Sequence, residues 1–232
     1  MFQGLLRTLA AALTMFGPSS PAAALTATES TWLAAAAPVL AFAEAQRLPL
    51  AIIVQPQDTP GQTPMGMAFI DGHCVLVLSM RGNPEAQAML DRMAPSLRNP
   101  VIEAIVAHEL GHCWRRLQQT WGTLPSGLVE INGFSQVSDE DALLLKDMWR
   151  TRREEGFADL VGLAWTLQRN PSRYDEVHAW HVSLRADQAV NTGPHDTRVW
   201  IRLAKNQAAF MSAGSIFEQV ESLWQAGLLE GF

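Results

Sequence analysis

The stretch Ala107-His108-Glu109-Leu110-Gly111-His112-Cys113-Trp114 decides the organisation of this chain, and its core reads His-Glu-x-x-His. If the stretch is helical, His108 and His112 lie one turn apart on the same face. Two imidazoles in this arrangement can bind one tetrahedral zinc ion. Glu109 follows the first histidine, and a carboxylate there can act as general base towards a water that zinc activates. The alternative is two helix histidines with structural or surface roles.

The flanking residues favour a helix over this stretch. Asn99 is a favourable N-cap, and Pro100 suits the first helical position. One helical face then carries the residues Val101, Ile105, His108 and His112. Because Gly and Pro recur after residue 121, we expect the helix to end near Gln119.

A catalytic zinc ion needs a third protein ligand, and residues 153–159 offer acidic candidates. Glu155 and Asp159 are four residues apart, so that on a helix their carboxylates share one face. One could bind zinc while the other orients a ligating histidine. Glu154 is the rival ligand, but it lies about 100° round the helix from Glu155. Without a metal, these residues would form an exposed acidic face.

The two motifs together resemble those of the gluzincin metallopeptidases, in which His-Glu-x-x-His is followed by Glu-x-x-x-Asp on a later helix. The resemblance implies that His108, His112 and Glu155 bind one zinc ion per chain and that Asp159 orients a ligand. It also implies hydrolysis of peptide or protein substrates, with Glu109 as general base. The layout of residues 35–205 is similar to the catalytic domain shared by CAAX-type prenyl proteases and bacterial quality-control metallopeptidases.

That family carries a His-Pro…Arg segment after the zinc glutamate. Here the segment Pro194-His195-Asp196-Thr197-Arg198 occupies a comparable place, with His and Pro reversed. The resemblance implies that His195 and Arg198 stabilise the oxyanion of the reaction. Alternatively, Arg198 pairs with surface carboxylates and His195 caps a helix. Tyr174 is a weaker candidate, and His178 with His181 is interpreted as a surface pair on a helix.

A β-hairpin is predicted over residues 65–80, because Asp71-Gly72 suits a type I′ turn. By the resemblance, the strand from Cys74 to Leu78 is an edge strand that lines the cleft and pairs with an extended substrate. Cys113 lies in the helix beneath this strand, so a disulfide with Cys74 is geometrically reasonable. Two buried free thiols are equally compatible with the sequence.

The remaining pattern predicts an α+β fold, mostly helical and zincin-like, with a small sheet or hairpin before the zinc helix. Helices are expected at residues 31–47, 83–93, 172–188, 196–211 and from 215, and a strand at 49–55. Another helix should begin after the cap Ser138. It either ends near Arg150 or continues to Asn170.

Residues 1–24 are predicted to be a secretory signal, and residues 25–232 a single domain in the periplasm or outside the cell. Arg7 provides the positive start, and residues 8–16 an apolar segment too short to span a bilayer. Ala22–Ala24 offer a cleavage site. An ordinary alanine-rich helix is the alternative.

Composition limits the choice of partners. The chain has a net charge of −6 and no basic block, which argues against nucleic acid as a partner. No transmembrane helix is expected in the mature chain. The rival interpretation of the whole chain is a non-catalytic zincin-fold binding or assembly factor in the periplasm.

Overall fold

The computed structural model describes residues 24–56, 63–129, 138–186 and 193–230. The helices within these ranges are α1 (Ala27–Ala45), α2 (Pro84–Arg92), α3 (Pro95–Leu117), α4 (Asp139–Arg169), α5 (Tyr174–Arg185), α6 (Arg198–Ala204), α7 (Ile216–Gln219) and α8 (Glu221–Glu230). The strands are β1 (Leu50–Pro56), β2 (Met65–Ile70) and β3 (His73–Arg81). The fold is therefore mostly helical with a small sheet, as predicted. Apart from Ala24, the predicted signal lies outside the described residues.

The three strands form one sheet in the order β1-β3-β2. β3 pairs in parallel with β1 and antiparallel with β2. Asp71 and Gly72 both have positive φ, as the predicted type I′ turn requires. The prediction that Cys74–Leu78 is an edge strand is wrong, because β3 is central and β1 and β2 are the two edges. The uninterrupted apolar run of β3 fits a strand that is buried on both faces.

The helix of the His-Glu-x-x-His motif, α3, begins earlier than predicted. Pro95 rather than Pro100 occupies the first turn, and Pro100 lies inside the helix. Both prolines suit a helix start, so that local preference alone could not choose between them. The helix ends at Leu117, close to the predicted end, and Gln119 has positive φ there.

One continuous helix of 31 residues, α4, packs along α3. Its N-cap Ser138 accepts a hydrogen bond from the amide of Asp141. Two glycines allow the helices to approach closely. A Cβ on Gly111 would lie 3.0 Å from the Cα of Ala158, and one on Gly162 would lie 2.7 Å from a carbonyl oxygen of α3. The backbones of α3 and α4 thus lie close enough to share a site.

Cys74 and Cys113 form a disulfide that ties β3 to α3, with their Cα atoms 5.6 Å apart. Both sulfurs belong to fully buried residues. The bond closes a loop with a sequence separation of 39 residues, which stabilises the fold by about 4 kcal/mol in the chain-entropy model. Of the helices described, none combines the length and hydropathy that crossing a bilayer would require.

Candidate metal centre

His108, His112 and Glu155 bring three potential ligand atoms together at the contact between α3 and α4. The Nε2 atoms of the two histidines are 3.1 Å apart. The carboxylate oxygens of Glu155 lie 3.5 Å from Nε2 of His108 and 3.3 Å from Nε2 of His112. Ligands at zinc bond lengths of roughly 2.0–2.1 Å in tetrahedral geometry are about 3.3 Å apart. The three residues can therefore hold a metal ion.

Asp159 orients the first of these ligands. Its Oδ1 lies 2.9 Å from Nδ1 of His108 and accepts a hydrogen bond from it. Arg185 donates two hydrogen bonds to the same carboxylate, at 2.7 and 2.8 Å, and the hydroxyl of Thr197 donates a third. With Nδ1 carrying the proton, Nε2 of His108 presents its lone pair to a metal.

Charge at this centre favours a bound cation. Burial would raise the pKa of Glu155, but the hydrogen bond from His112 and the positive charge that His112, His108 and His195 carry when they are protonated lower it to about 2. Burial likewise opposes ionisation of Asp159, yet Arg185 and His108 hold its pKa well below the ordinary value. Both carboxylates therefore stay ionised at neutral pH.

Glu154 is turned away from the centre. Its carboxylate accepts hydrogen bonds from Arg115 at 2.8 and 2.9 Å and from the amide of Gly122 at 2.8 Å. The interpretation of an exposed acidic face is wrong, because Glu154, Glu155 and Asp159 are all buried. Glu154 joins α3 to α4 and leaves the ligand position to Glu155.

The three ligand residues line a cavity of about 710 Å³, here called the metal cavity. Glu109 lines it as well, with 8% of its surface exposed. Residues 63–69, which include most of β2, form one wall of the metal cavity. One of the two edge strands, β2, therefore runs beside the metal centre, which is the place that the resemblance assigned to β3.

The structure separates the two residues that were predicted to stabilise an oxyanion. His195 lines the metal cavity, is half-exposed, and has its Nε2 3.7 Å from Oε1 of Glu155. Arg198 is not among the residues that line this cavity, and it pairs with Asp196 at 2.8 and 3.0 Å. Tyr174 is also elsewhere, because its buried hydroxyl donates to the carbonyl of Ala204.

His178 and His181 are not the surface pair that the sequence suggested. His178 lies 2.8 Å from the carbonyl of Ile201 through Nε2. His181 is 2% exposed and lines the metal cavity, with Nδ1 3.9 Å from Oδ1 of Asp159. Among the described residues, no group hydrogen-bonds either nitrogen of the His181 ring. Burial lowers the pKa of His181 to about 4, so the ring is neutral at neutral pH.

Sequence reasoning did not identify Arg185, Thr197 or His181 as parts of this site. Arg185 and His181 stand one turn apart on α5, and this i, i+4 spacing of polar residues was the available signal. Thr197 precedes α6 directly. No protein-family model, curated protein or solved structure matches this chain in comparisons with known proteins.

Proposed function

We propose that the protein is a zinc-dependent endopeptidase. The observation that carries this proposal is that the ligand atoms of His108, His112 and Glu155 have spacings suited to one zinc ion, beside Glu109 in a cavity. Two imidazoles and one carboxylate are the donor set of many catalytic zinc sites, which keep a fourth position for water or substrate. When bound, zinc would act as a Lewis acid and make a water molecule a better nucleophile at neutral pH.

Glu109 supplies the proton transfers in the proposed reaction. Its carboxylate takes a proton from the attacking water and then returns a proton to the leaving amine. His195 stands at the rim of the metal cavity, where its ring can donate a hydrogen bond to the oxyanion of the tetrahedral intermediate. Asp159 keeps His108 in the tautomer that leaves Nε2 available.

Edge strand β2 supports a peptide as the substrate. The strand lies at one side of the sheet and along one wall of the metal cavity. An extended peptide can add to such an edge through main-chain hydrogen bonds, which brings its backbone carbonyls past the metal centre. Binding of this kind depends more on the peptide backbone than on its side chains. It therefore suits an enzyme that acts on unfolded protein, in which the backbone is accessible.

The test is the Glu109→Gln variant, with His108→Ala beside it. Glu109→Gln should retain zinc and cleave unfolded casein about 10²- to 10⁴-fold more slowly than the wild type, since a general base contributes about that factor. His108→Ala should lose both zinc and cleavage. Wild-type rates in Glu109→Gln would refute the role of this carboxylate. A zinc-loaded wild type that cleaves neither casein nor small amides would favour the binding or assembly factor.

We further propose that the protein is exported to the periplasm or secreted. The Cys74–Cys113 disulfide supports this location, because such bonds persist mainly in oxidising compartments. The predicted signal at residues 1–24 gives the same expectation. Fractionation of expressing cells, with N-terminal sequencing of the product, should find a chain that begins near Leu25 outside the cytoplasm. Full-length protein confined to the cytoplasm would contradict the proposal.

A further inference from the structure

A second cavity, of about 640 Å³, is lined mainly by α5 and α6 and shares Arg185 with the metal cavity. We call it the cationic cavity. Five of the 17 Lys and Arg residues of the chain line it, namely Arg152, Arg185, Arg198, Arg202 and Lys205. Asp196 is the one acidic residue among its described lining residues. In a chain of net charge −6, this is a marked local excess of positive charge.

Helical spacing places three of these cations in a row. Arg198, Arg202 and Lys205 follow at i, i+4 and i+7 along α6 and its C-cap. Arg185 lines the cavity from α5. The contact between His178 and the carbonyl of Ile201 joins the two helices at 2.8 Å. The row is therefore positioned by packed helices and not by independent surface side chains.

Carboxylates neutralise only part of this charge. Three of the cations have carboxylate partners: Arg185 pairs with Asp159 and Glu155, Arg198 with Asp196, and Arg202 with Glu230. Arg152 is buried and donates to the carbonyl of Gly193 at 2.9 and 3.2 Å. Among the residues that the structure describes, Lys205 forms no ion pair with a carboxylate. Arg152 and Lys205 are therefore the two lining cations without an ion-paired carboxylate among the described residues.

The charges around Arg152 also fail to compensate for its burial. Burial and the charge of Arg198 lower the pKa of the Arg152 guanidinium, and Asp196 offsets this lowering only in part. An anion in the cavity would offset both the repulsion by Arg198 and the cost of burying the charged guanidinium.

We propose that the cationic cavity binds a phosphate monoester group. Such a group carries about 1.5 to 2 negative charges near neutral pH, which can neutralise Arg152 and Lys205, and its oxygens suit guanidinium and ammonium donors. Val182 and Val199 add apolar surface to the lining, and Val182 is 47% exposed. The group can belong to a small soluble phosphate or to a phospholipid headgroup that carries apolar chains.

The test compares the wild type with Arg202→Gln/Lys205→Gln, which removes two cations from the rim of the cavity and keeps long polar side chains. The matched control is Arg92→Gln/Arg173→Gln. This control also removes two positive charges, but from arginines that lie outside both cavities and each form an exposed ion pair. Calorimetric titration with inorganic phosphate at low ionic strength tests the soluble source. Flotation with vesicles of phosphatidic acid in phosphatidylcholine, against phosphatidylcholine alone, tests the lipid source.

Binding of either probe should weaken about tenfold or more in the cavity variant, because a lost charge-assisted hydrogen bond costs at least that factor. The control variant should bind like the wild type. Phosphate binding would identify a soluble ligand, and vesicle binding without measurable phosphate binding would identify a headgroup. Equal losses in both variants, or no binding of either probe to the wild type, would overturn the proposal. Neither readout depends on zinc or on peptidase activity.

Discussion

Oδ1 of Asp159 lies 2.9 Å from Nδ1 of His108, whereas Nε2 of the same ring lies 3.1 Å from Nε2 of His112. One imidazole thus joins a buried carboxylate on one side to the candidate metal position on the other. Since such outer carboxylates fix the ring and strengthen its basicity, metal affinity should depend on a residue that is not itself a ligand.

Replacing Asp159 with Asn should weaken zinc binding about 10- to 100-fold, the usual effect of losing an outer carboxylate. Competition with a chromophoric chelator measures the affinity, and thermal unfolding of the metal-free protein verifies the fold. The exposed Asp175, changed to Asn, is the control and should not alter zinc binding. Equal affinities in the two variants would show that Asp159 does not support the ligand.

Replacing the adjacent acids Glu154 and Glu155 one at a time should have different effects, one on stability and the other on metal binding. Glu155→Gln should lose most zinc, because it removes the third ligand. Glu154→Gln should keep zinc but lower the free energy of unfolding by about 3 kcal/mol, since it breaks a buried pair with Arg115. Metal analysis and urea unfolding of both variants check this. Zinc retained in Glu155→Gln and lost in Glu154→Gln would reverse the two assignments.

Acid sensitivity should depend on His181. Its pKa is lowered from 6.5 to about 4, so the unfolded chain takes up a proton in this range while the folded chain does not. Its contribution to stability is therefore complete above pH 6.5 and declines as the pH falls towards 4. His181→Gln should reduce the loss of stability between neutral pH and about pH 5 by about 2 kcal/mol.

Urea unfolding of the metal-free protein at several pH values measures this effect. His108, whose raised pKa acts in the opposite direction, is present in both proteins, so the comparison isolates the effect of replacing His181, which includes its coupling to His108. The exposed His73, changed to Gln, serves as the control. If the pH dependence of His181→Gln equals that of the wild type, His181 is not a buried neutral group.

His195 and Arg198 should differ in their effect on turnover, if the proposed peptidase function holds. His195→Ala should lower kcat about 100-fold or more with little change in KM, the effect of losing an oxyanion donor. Arg198→Ala should leave kcat close to that of the wild type, because its guanidinium is held by Asp196. Steady-state kinetics on a fluorogenic peptide decides between the two. A larger loss in Arg198→Ala would reverse these roles.

Much of the candidate centre could be predicted because its spacing is local. His108 and His112, like Glu155 and Asp159, stand four residues apart on one helix, and the helical period alone puts each pair on one face. The same period distinguished Glu155 from Glu154. The strand order of the three-stranded sheet was harder to predict, because it depends on the edge of β3 along which β1 pairs. Chain order does not determine that choice.

Residues that the sequence did not identify act across elements. His181 and Arg185 reach Asp159 from α5, and their i, i+4 spacing puts them on one face of that helix without showing that this face is buried. Arg198 shows the reverse case, a residue that the sequence placed in the site and the structure does not. Its side chain donates a hydrogen bond to the nearby Asp196 and does not line the metal cavity. Family layout alone could not anticipate such a local partner.

Because α4 is one unbroken helix, the direction in which each of its functional side chains points is fixed by its position along the helix. The cationic cavity is lined by Arg152, and α3 is contacted by Glu154 through Arg115. The candidate metal position is faced by Glu155, and His108 is contacted by Asp159. One residue inserted between Glu155 and Asp159 would turn everything beyond it by about 100° and put Asp159 out of phase with Glu155. The exposed first turns, near Leu143 and Leu144, precede all four positions. A change of length in those first turns would leave the relative directions of the four side chains unchanged, whereas an insertion between Arg152 and Asp159 would separate them.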